Sequence, residues 1–246
     1  MLPMPKNMLH IAQCVTACNL FKRIEKHELA ALIRTAKKCA YEKGMVMSPA
    51  SGAGKGIYIL CSGIARVELS DPEKNKKAIS YLMAPEHFGE VSMFAKRVDT
   101  DVVAHTDLVA IFIPVKSIWD LISSSSAYTE ALLINMAHRV NHIRRDLQDS
   151  LFKNLEGRVA VQLLKLAYKF GEDVPAGRRI TLKLTHEELA DLVGTHRETV
   201  TKILGIFRKD DAISILKHYI IITHKSRLET WITNPNERHA AMKQAG

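Results

Sequence analysis

The chain is 246 residues long, 47% hydrophobic and 25% charged, a balance that excludes a disordered chain and leaves room for one large folded domain or two modest ones. A net charge of +9 and a pI near 9.4 suit a polyanionic partner such as nucleic acid without proving one, because the surplus is shared between the two halves of the chain. No apolar run approaches the roughly 20 residues that span a bilayer, and the opening MLPMPKNMLHIAQC lacks the long apolar core of a signal peptide, so no membrane partner is expected and the cytoplasm is the expected location.

Residues 27–38 read as a helix, with Leu29, Leu32, Ile33 and Ala36 at helical spacing. From Cys39 to about Ile113 the style changes to short β-rich stretches: GMVM, GIYILCSG, IARVELS, KKAISYLM and LVAIFIP. Apolar and polar residues nearly alternate over Ile64, Ala65, Arg66, Val67, Glu68 and Leu69, as in a half-buried strand. Several short strands at this spacing suggest a β-sandwich or barrel. The cysteines Cys14, Cys18, Cys39 and Cys61 form no CxxC pair, so reduced thiols are expected. Residues 126–153 are helical, with Leu133, Met136, Val140, Ile143 and Leu147 in 3-4-3-4 order, a narrow heptad seam suited to one partner helix. Residues 157–170 form a further helix, stopped at Gly171. A loop and a short strand over 180–184 follow.

Thr185-His-Glu-Glu188 and Thr195-His-Arg-Glu198 each fit the S/T-x-x-E capping box, which predicts two consecutive short helices over 186–193 and 196–208. Gly194 lies between them, where a helix end favours a residue tolerant of positive φ. Leu189, Ala190, Val193, Val200 and Ile203 would bury the inner face. This is helix-turn-helix spacing. On the second helix Arg197, Glu198, Thr201 and Lys202 share one outward surface near its start. Arginine can donate two hydrogen bonds to guanine O6 and N7, and glutamate can accept one from cytosine N4, so these four are the candidate DNA-binding row on double-stranded DNA. Residues 212–215 and 219–222 then read as a β-wing around Leu216, Lys217 and His218.

With LTHEELADLVGTHRETVTKILGIFRKDDAI, GIYILCSGIARVEL, FGEVSMF and GRVAVQLLKLA in view, the chain resembles the cyclic-AMP receptor protein and fumarate–nitrate reduction regulator (Crp/Fnr) family of bacterial transcription factors over about residues 20–233. The resemblance implies an α+β protein: an N-terminal β-roll sensor with its N-terminal helix (1–125), a long dimerisation helix (126–155) and a C-terminal winged helix-turn-helix (156–246). It implies a homodimer that reads a palindromic site. By position it carries base contacts onto Arg197, Glu198 and Lys202, and phosphate contacts onto Thr185, His196 and Thr199. Lys202 stands where the archetype has arginine and so lacks a bidentate fork. The loop 173–179 falls where relatives can touch RNA polymerase.

The same resemblance places effector-binding positions at Gly89, Glu90, Val91, Arg97, Thr100 and Ile143. Gly89-Glu90 fits the family's phosphate cassette, but Arg97-Val98-Asp99-Thr100-Asp101 replaces its Arg-Ser or Arg-Thr, and Asp99 and Asp101 would repel a cyclic phosphate unless they point away. Cyclic AMP therefore fits less well than in the archetype. An iron–sulfur cluster has four cysteines in number but not obviously in place. Haem stays open through His10, His87, His105, His138 and His142. Otherwise the effector is an unidentified small organic molecule, or there is none, and no metal ligand set is assigned. Two alternatives stand beside the main reading: a haem- or redox-sensing regulator of the same fold, and a ligand-binding module whose helix-turn-helix makes only protein contacts. GxSxG, HExxH and Walker patterns are all missing, so an enzyme is not expected.

Overall fold

The structure, a computed structural model, describes residues 6–48, 55–71, 73, 75–95 and 99–232. The chain divides into two compact units, one up to Val140 and one from Asn141 onward.

The first unit begins with α1 (Lys6–Ala17), a single 3-10 turn (Asn19–Phe21) and α2 (Lys26–Thr35). Strands β1 (Lys37–Tyr41), β2 (Val46–Ser48), β3 (Gly56–Ser62), β4 (Ile64–Ser70), β5 (Lys76–Met83) and β6 (His87–Phe88) follow, then α3 (Glu90–Phe94), β7 (Thr100–Ala104), β8 (Leu108–Pro114), α4 (Val115–Ser124) and the start of α5 (Ser126–Phe152). One antiparallel sheet has the order β1-β8-β3-β6 and the other β2-β7-β4-β5.

β3 explains how the unit packs. Its first five residues are all buried, although an antiparallel strand usually wets one face. Tyr58 and Leu60 point into a cluster with Phe88, Ala104, Leu108 and Ala110 from the two sheets. Ile57 and Ile59 point the other way, into Ile11, Val15, Phe21, Ile118 and Tyr128 from the helical layer. An uninterrupted apolar strand is what a position between two cores requires.

Three expectations are corrected here. The helix predicted over 27–38 ends at Thr35, because Lys37–Tyr41 pair with Leu108–Phe112 across the fold. The alternation in β4 is broken by a bulge between Val67 and Glu68; Glu68 is buried there while Leu69 is 44% exposed. Two of the four cysteines are not free thiols: Cys14 on α1 and Cys61 on β3 are joined as a disulfide, with Cα atoms 5.6 Å apart. Packing of α1 on the sheet makes that pair, and no local spacing encodes it. Arg97 lies outside the described residues.

The second unit holds the rest of α5, then α6 (Leu155–Phe170), β9 (Gly171–Val174), β10 (Gly177–Ile180), α7 (His186–Val193), α8 (Arg197–Lys209), β11 (Ile213–Leu216), β12 (Tyr219–Ile222) and α9 (Lys225–Thr230). The sheet order is β11-β12-β10-β9. The strand expected over 180–184 is displaced: the ladder ends at Ile180, and the loop before it is the β9–β10 hairpin. Arg178 fixes that hairpin to α6, since its Nε donates to the Ala167 carbonyl at 2.8 Å and its Nη2 to that of Gly171 at 3.1 Å. The core of the unit collects Val159, Leu163, Leu166 and Phe170 from α6 with Leu189, Val193, Val200, Ile203 and Phe207 from α7 and α8. Among the described residues no helix is long and apolar enough to cross a membrane.

Candidate nucleic-acid interface and sensor site

α7 opens with the expected capping box. The Glu188 N–H donates to Thr185 Oγ1 at 3.1 Å, and the Thr185 N–H donates to Glu188 Oε2 at 2.8 Å. The helix closes at Gly194, left-handed with φ +70°, and the Thr195 N–H reaches back to the Ala190 carbonyl at 3.0 Å, a Schellman-type ending. That ending overturns the second capping box. Thr195 is tied to the end of α7, so α8 starts one residue later with His196 as N-cap, and the His196 side chain makes no capping bond.

Two contacts that the sequence reading missed hold the pair of helices. Arg158 on α6 donates through Nη2 to the Val193 carbonyl, which sets a cation on the negative end of α7. His186 Nδ1 lies 2.8 Å from Thr201 Oγ1, and that hydroxyl donates to the Arg197 carbonyl at 2.9 Å. His186 must then donate to Thr201. The Thr201 hydroxyl is thus committed inside the protein, and Thr201 bolts α8 to α7 while it sits in the expected reading row.

The remaining residues of that row stand free. Arg197, Glu198 and Lys202 are exposed, and among the described residues their side chains make no hydrogen bond or ion pair. His196 is exposed and Thr199 half-buried beside the α8 N-terminus, where backbone N–H groups and the helix dipole favour an anion such as phosphate. Thr185, at the start of α7, has its hydroxyl in the capping box. The wing forms as expected: Ile213–Leu216 pairs with Tyr219–Ile222, and Lys217 and His218 turn with φ of +48° and +70°, the two positive angles of a type I′ hairpin.

In the first unit Gly89 is left-handed, φ +107°, and caps α3; a Cβ there would collide with the Gly56 carbonyl. The turn places Glu90 inward, its side chain fully buried and 2.5 Å from Arg139 Nη1. Neither carboxylate oxygen has an aligned hydrogen bond, so the contact is a close ion pair with off-axis N–H directions. Burial raises the Glu90 pKa, and the Arg139 charge works against that rise. Arg139 Nη2 also donates to the His87 carbonyl at 2.9 Å. His87 is buried with Nδ1 3.4 Å from Cys18 Sγ; burial, then the Arg139 charge, push its pKa down to about 4. Burial likewise pushes the Cys18 thiol up to about 11. The His87 ring faces the Asn135 side chain, which works against the fall in its pKa, and the buried Tyr128 hydroxyl lacks an aligned partner.

The other expected effector positions are scattered. Val91 is 48% exposed and Ile143 67% exposed, and Thr100 pairs with Leu69 on the sheet. The repulsion expected from Asp101 is answered by Lys76, whose Nζ donates to Asp101 Oδ2 at 2.6 Å.

On α5 the expected seam splits. Met136 packs against the sensor core along with Tyr128 and Leu132, while Leu133, Val140, Ile143, Leu147 and Leu151 are 57–68% exposed.

Residues 157–231 match the Crp-like helix-turn-helix domain, and residues 39–125 match the cyclic nucleotide-binding domain. A CRP-like cAMP-activated global transcriptional regulator of Mycobacterium tuberculosis is 28% identical over 217 residues, covering 88% of this chain and 97% of that protein. A global nitrogen regulator of Synechocystis sp. is 25% identical over 180 residues, 72% of this chain and 80% of that one. Among solved structures, a CooA mutant from Carboxydothermus hydrogenoformans shares the fold with a TM-score of 0.72 at 18% identity, covering 94% of this chain and 97% of that one.

Proposed function

The chain belongs to the Crp/Fnr family of transcription regulators, and from that premise we propose that it works as a homodimer that reads a palindromic DNA site under the control of a small effector other than cyclic AMP. Residues 1–125 sense, 126–155 pair two copies and 156–246 read DNA. The observation that carries this reading is the exposed trio Arg197, Glu198 and Lys202 at the start of a helix whose other face is locked into the core. Arg197 reads guanine, Glu198 reads cytosine, and Lys202 adds a cation without the fork of arginine. His196 and Thr199 serve phosphates, with Thr185 beside them, and Thr201 keeps the row in register through His186.

Pairing is supported by the exposed apolar stripe on α5, an unusual surface for a lone helix. A two-fold dimer would set its two reading helices about 34 Å apart, one turn of DNA. The exposed tip of the β9–β10 hairpin is the surface we assign to RNA polymerase, and the cytoplasm is the site of action.

The effector reading rests on Glu90. A cyclic phosphate near Gly89 would have to compete with a buried carboxylate for Arg139. The buried polar side chains of Glu90, His87 and Tyr128 favour an effector that donates and accepts hydrogen bonds over a bare anion. Selection from random duplex DNA tests the reading function: a palindrome with half-sites one helical turn apart supports it, and no enriched sequence overturns it. Calorimetric titration with cyclic AMP tests the effector reading, which micromolar binding would overturn.

A further inference from the structure

His10 and Cys14 lie four residues apart on α1, a spacing that puts both side chains on one helix face. That face meets β3 at Cys61. The ligand atoms of His10, Cys14 and Cys61 all lie within 4.8 Å of one another, and His10 Nε2 is 3.8 Å from Cys14 Sγ. A tetrahedral zinc site, with Zn–S of about 2.3 Å and Zn–N of about 2.0 Å, has S···N edges of about 3.6 Å and an S···S edge of about 3.8 Å, so His10 and Cys14 already span one edge, and reduction of the disulfide frees the two sulfurs to part and bring all three atoms onto one metal. Cys14 and Cys61 are partly buried against the sensor core, which limits competition from water. We propose that the dithiol form of the protein binds one Zn2+-class cation through His10 Nε2, Cys14 Sγ and Cys61 Sγ, with a fourth position open to water or an exogenous ligand.

The chemistry of the donors selects the ion. Two thiolates and an imidazole are borderline-soft, which favours Zn2+ over Mg2+ or Ca2+. Three ligands do not hold a cluster that needs about four thiolates. The other two cysteines are engaged elsewhere, Cys18 with His87 Nδ1 at 3.4 Å and Cys39 with the Lys37 carbonyl at 3.9 Å.

Metal and disulfide exclude each other, because both use the same two sulfurs. An external dithiol delivers two electrons and two protons to Cys14 and Cys61, the S–S bond breaks, and the dithiol becomes a disulfide. Zn2+ then displaces both thiol protons to solvent. In reverse, a disulfide oxidant takes two electrons from the thiolates and two protons from solvent to become a dithiol, the Cys14–Cys61 S–S bond forms, and Zn2+ leaves to solvent. The site senses thiol redox state by gaining or losing a cation that ties α1 to β3.

The test uses the full chain, reduced with a dithiol, desalted without oxygen and titrated with Co2+ as a coloured stand-in for Zn2+. The expected result is one equivalent bound with a thiolate charge-transfer band and a tetrahedral ligand-field spectrum, bleached by Zn2+ and lost after disulfide oxidation. Cys14→Ser, Cys61→Ser and His10→Ala, each with an unchanged circular dichroism spectrum, should weaken Co2+ binding by more than about tenfold, and Cys39→Ser should not. A second readout needs no variant: Zn2+ should shield Cys14 and Cys61, but not Cys39, of the wild-type chain from alkylation mapped by peptide mass. A missing charge-transfer band, an octahedral spectrum, a band that survives Cys14→Ser, or alkylation of Cys14 and Cys61 unaffected by Zn2+ would each overturn the proposal.

Discussion

Arg139 on α5 holds its guanidinium 2.5 Å from the Glu90 carboxylate at the start of α3, and the Glu90 side chain is fully buried. A buried carboxylate deprived of its cation must ionise alone or take up a proton, and both cost stability. Arg139→Met should therefore destabilise the fold by about 1–3 kcal/mol at pH 8, discounted because Arg139 itself is partly in water. The loss should shrink on going from pH 8 to pH 5, the direction in which proton uptake by Glu90 removes the unpaired buried charge. Arg139→Met with Glu90→Gln should recover much of it. Urea denaturation of the four proteins checks the cycle, and an equal loss at both pH values would rule out the ion pair as its source.

His87 carries a stability term of known sign. Its folded pKa of about 4 lies below the ordinary 6.5, so the unfolded chain binds the extra proton between those values. The stability is present above pH 6.5 and is lost as pH falls toward 4, by about 2–4 kcal/mol. Glu90, with its raised pKa, works in the opposite sense, its contribution being lost as pH rises. The His87→Gln variant separates the two: its stability between pH 6.5 and 4 should fall less steeply than that of the wild type. Parallel curves would sink the assignment.

Val140 and Leu147 lie one heptad apart on the exposed stripe of α5, at 65% and 57% exposure. Val140→Glu with Leu147→Glu sets charge on both sides of a two-fold helix contact, and like charges there repel. Analytical ultracentrifugation should show a dimer become a monomer with unchanged circular dichroism, and affinity for a palindromic site should drop while half-site binding stays weak. A variant that remains dimeric would move the interface elsewhere.

For DNA reading, Arg197→Ala should cost about 1–3 kcal/mol at one base position, visible as relaxed preference there. Loss that is equal on all sequences would reduce Arg197 to a phosphate contact. Lys202→Arg, which restores a bidentate fork, should sharpen preference for guanine at its own position. Competition binding against a library of single-base variants reads both.

Much of the reading head was legible in the chain. Thr185, Glu188 and Gly194 act through bonds to residues within a few positions, so their spacing alone specifies a cap, a helix and a stop. The wing was legible for the same reason. The start of α8 was not, because Thr195 has two competing uses and the Schellman bond to Ala190 takes it. The stripe on α5 was partly misread at Met136, since a single helix shows its apolar residues without showing which partner each one meets.

What the sequence by itself determined is the local code: the paired helices, the outward Arg197, Glu198 and Lys202, and the long amphipathic α5. Tertiary structure alone decided the long-range meetings: Lys37–Tyr41 as a strand against Leu108–Phe112, Arg139 with Glu90, His186 with Thr201, and His10 and Cys14 with Cys61. The physical reason is chain separation. Caps and turns are closed by neighbours whose positions follow from backbone geometry. Those four meetings depend on which helix packs on which sheet, a choice made by burial of apolar surface over the whole unit, so no spacing in the chain announces it.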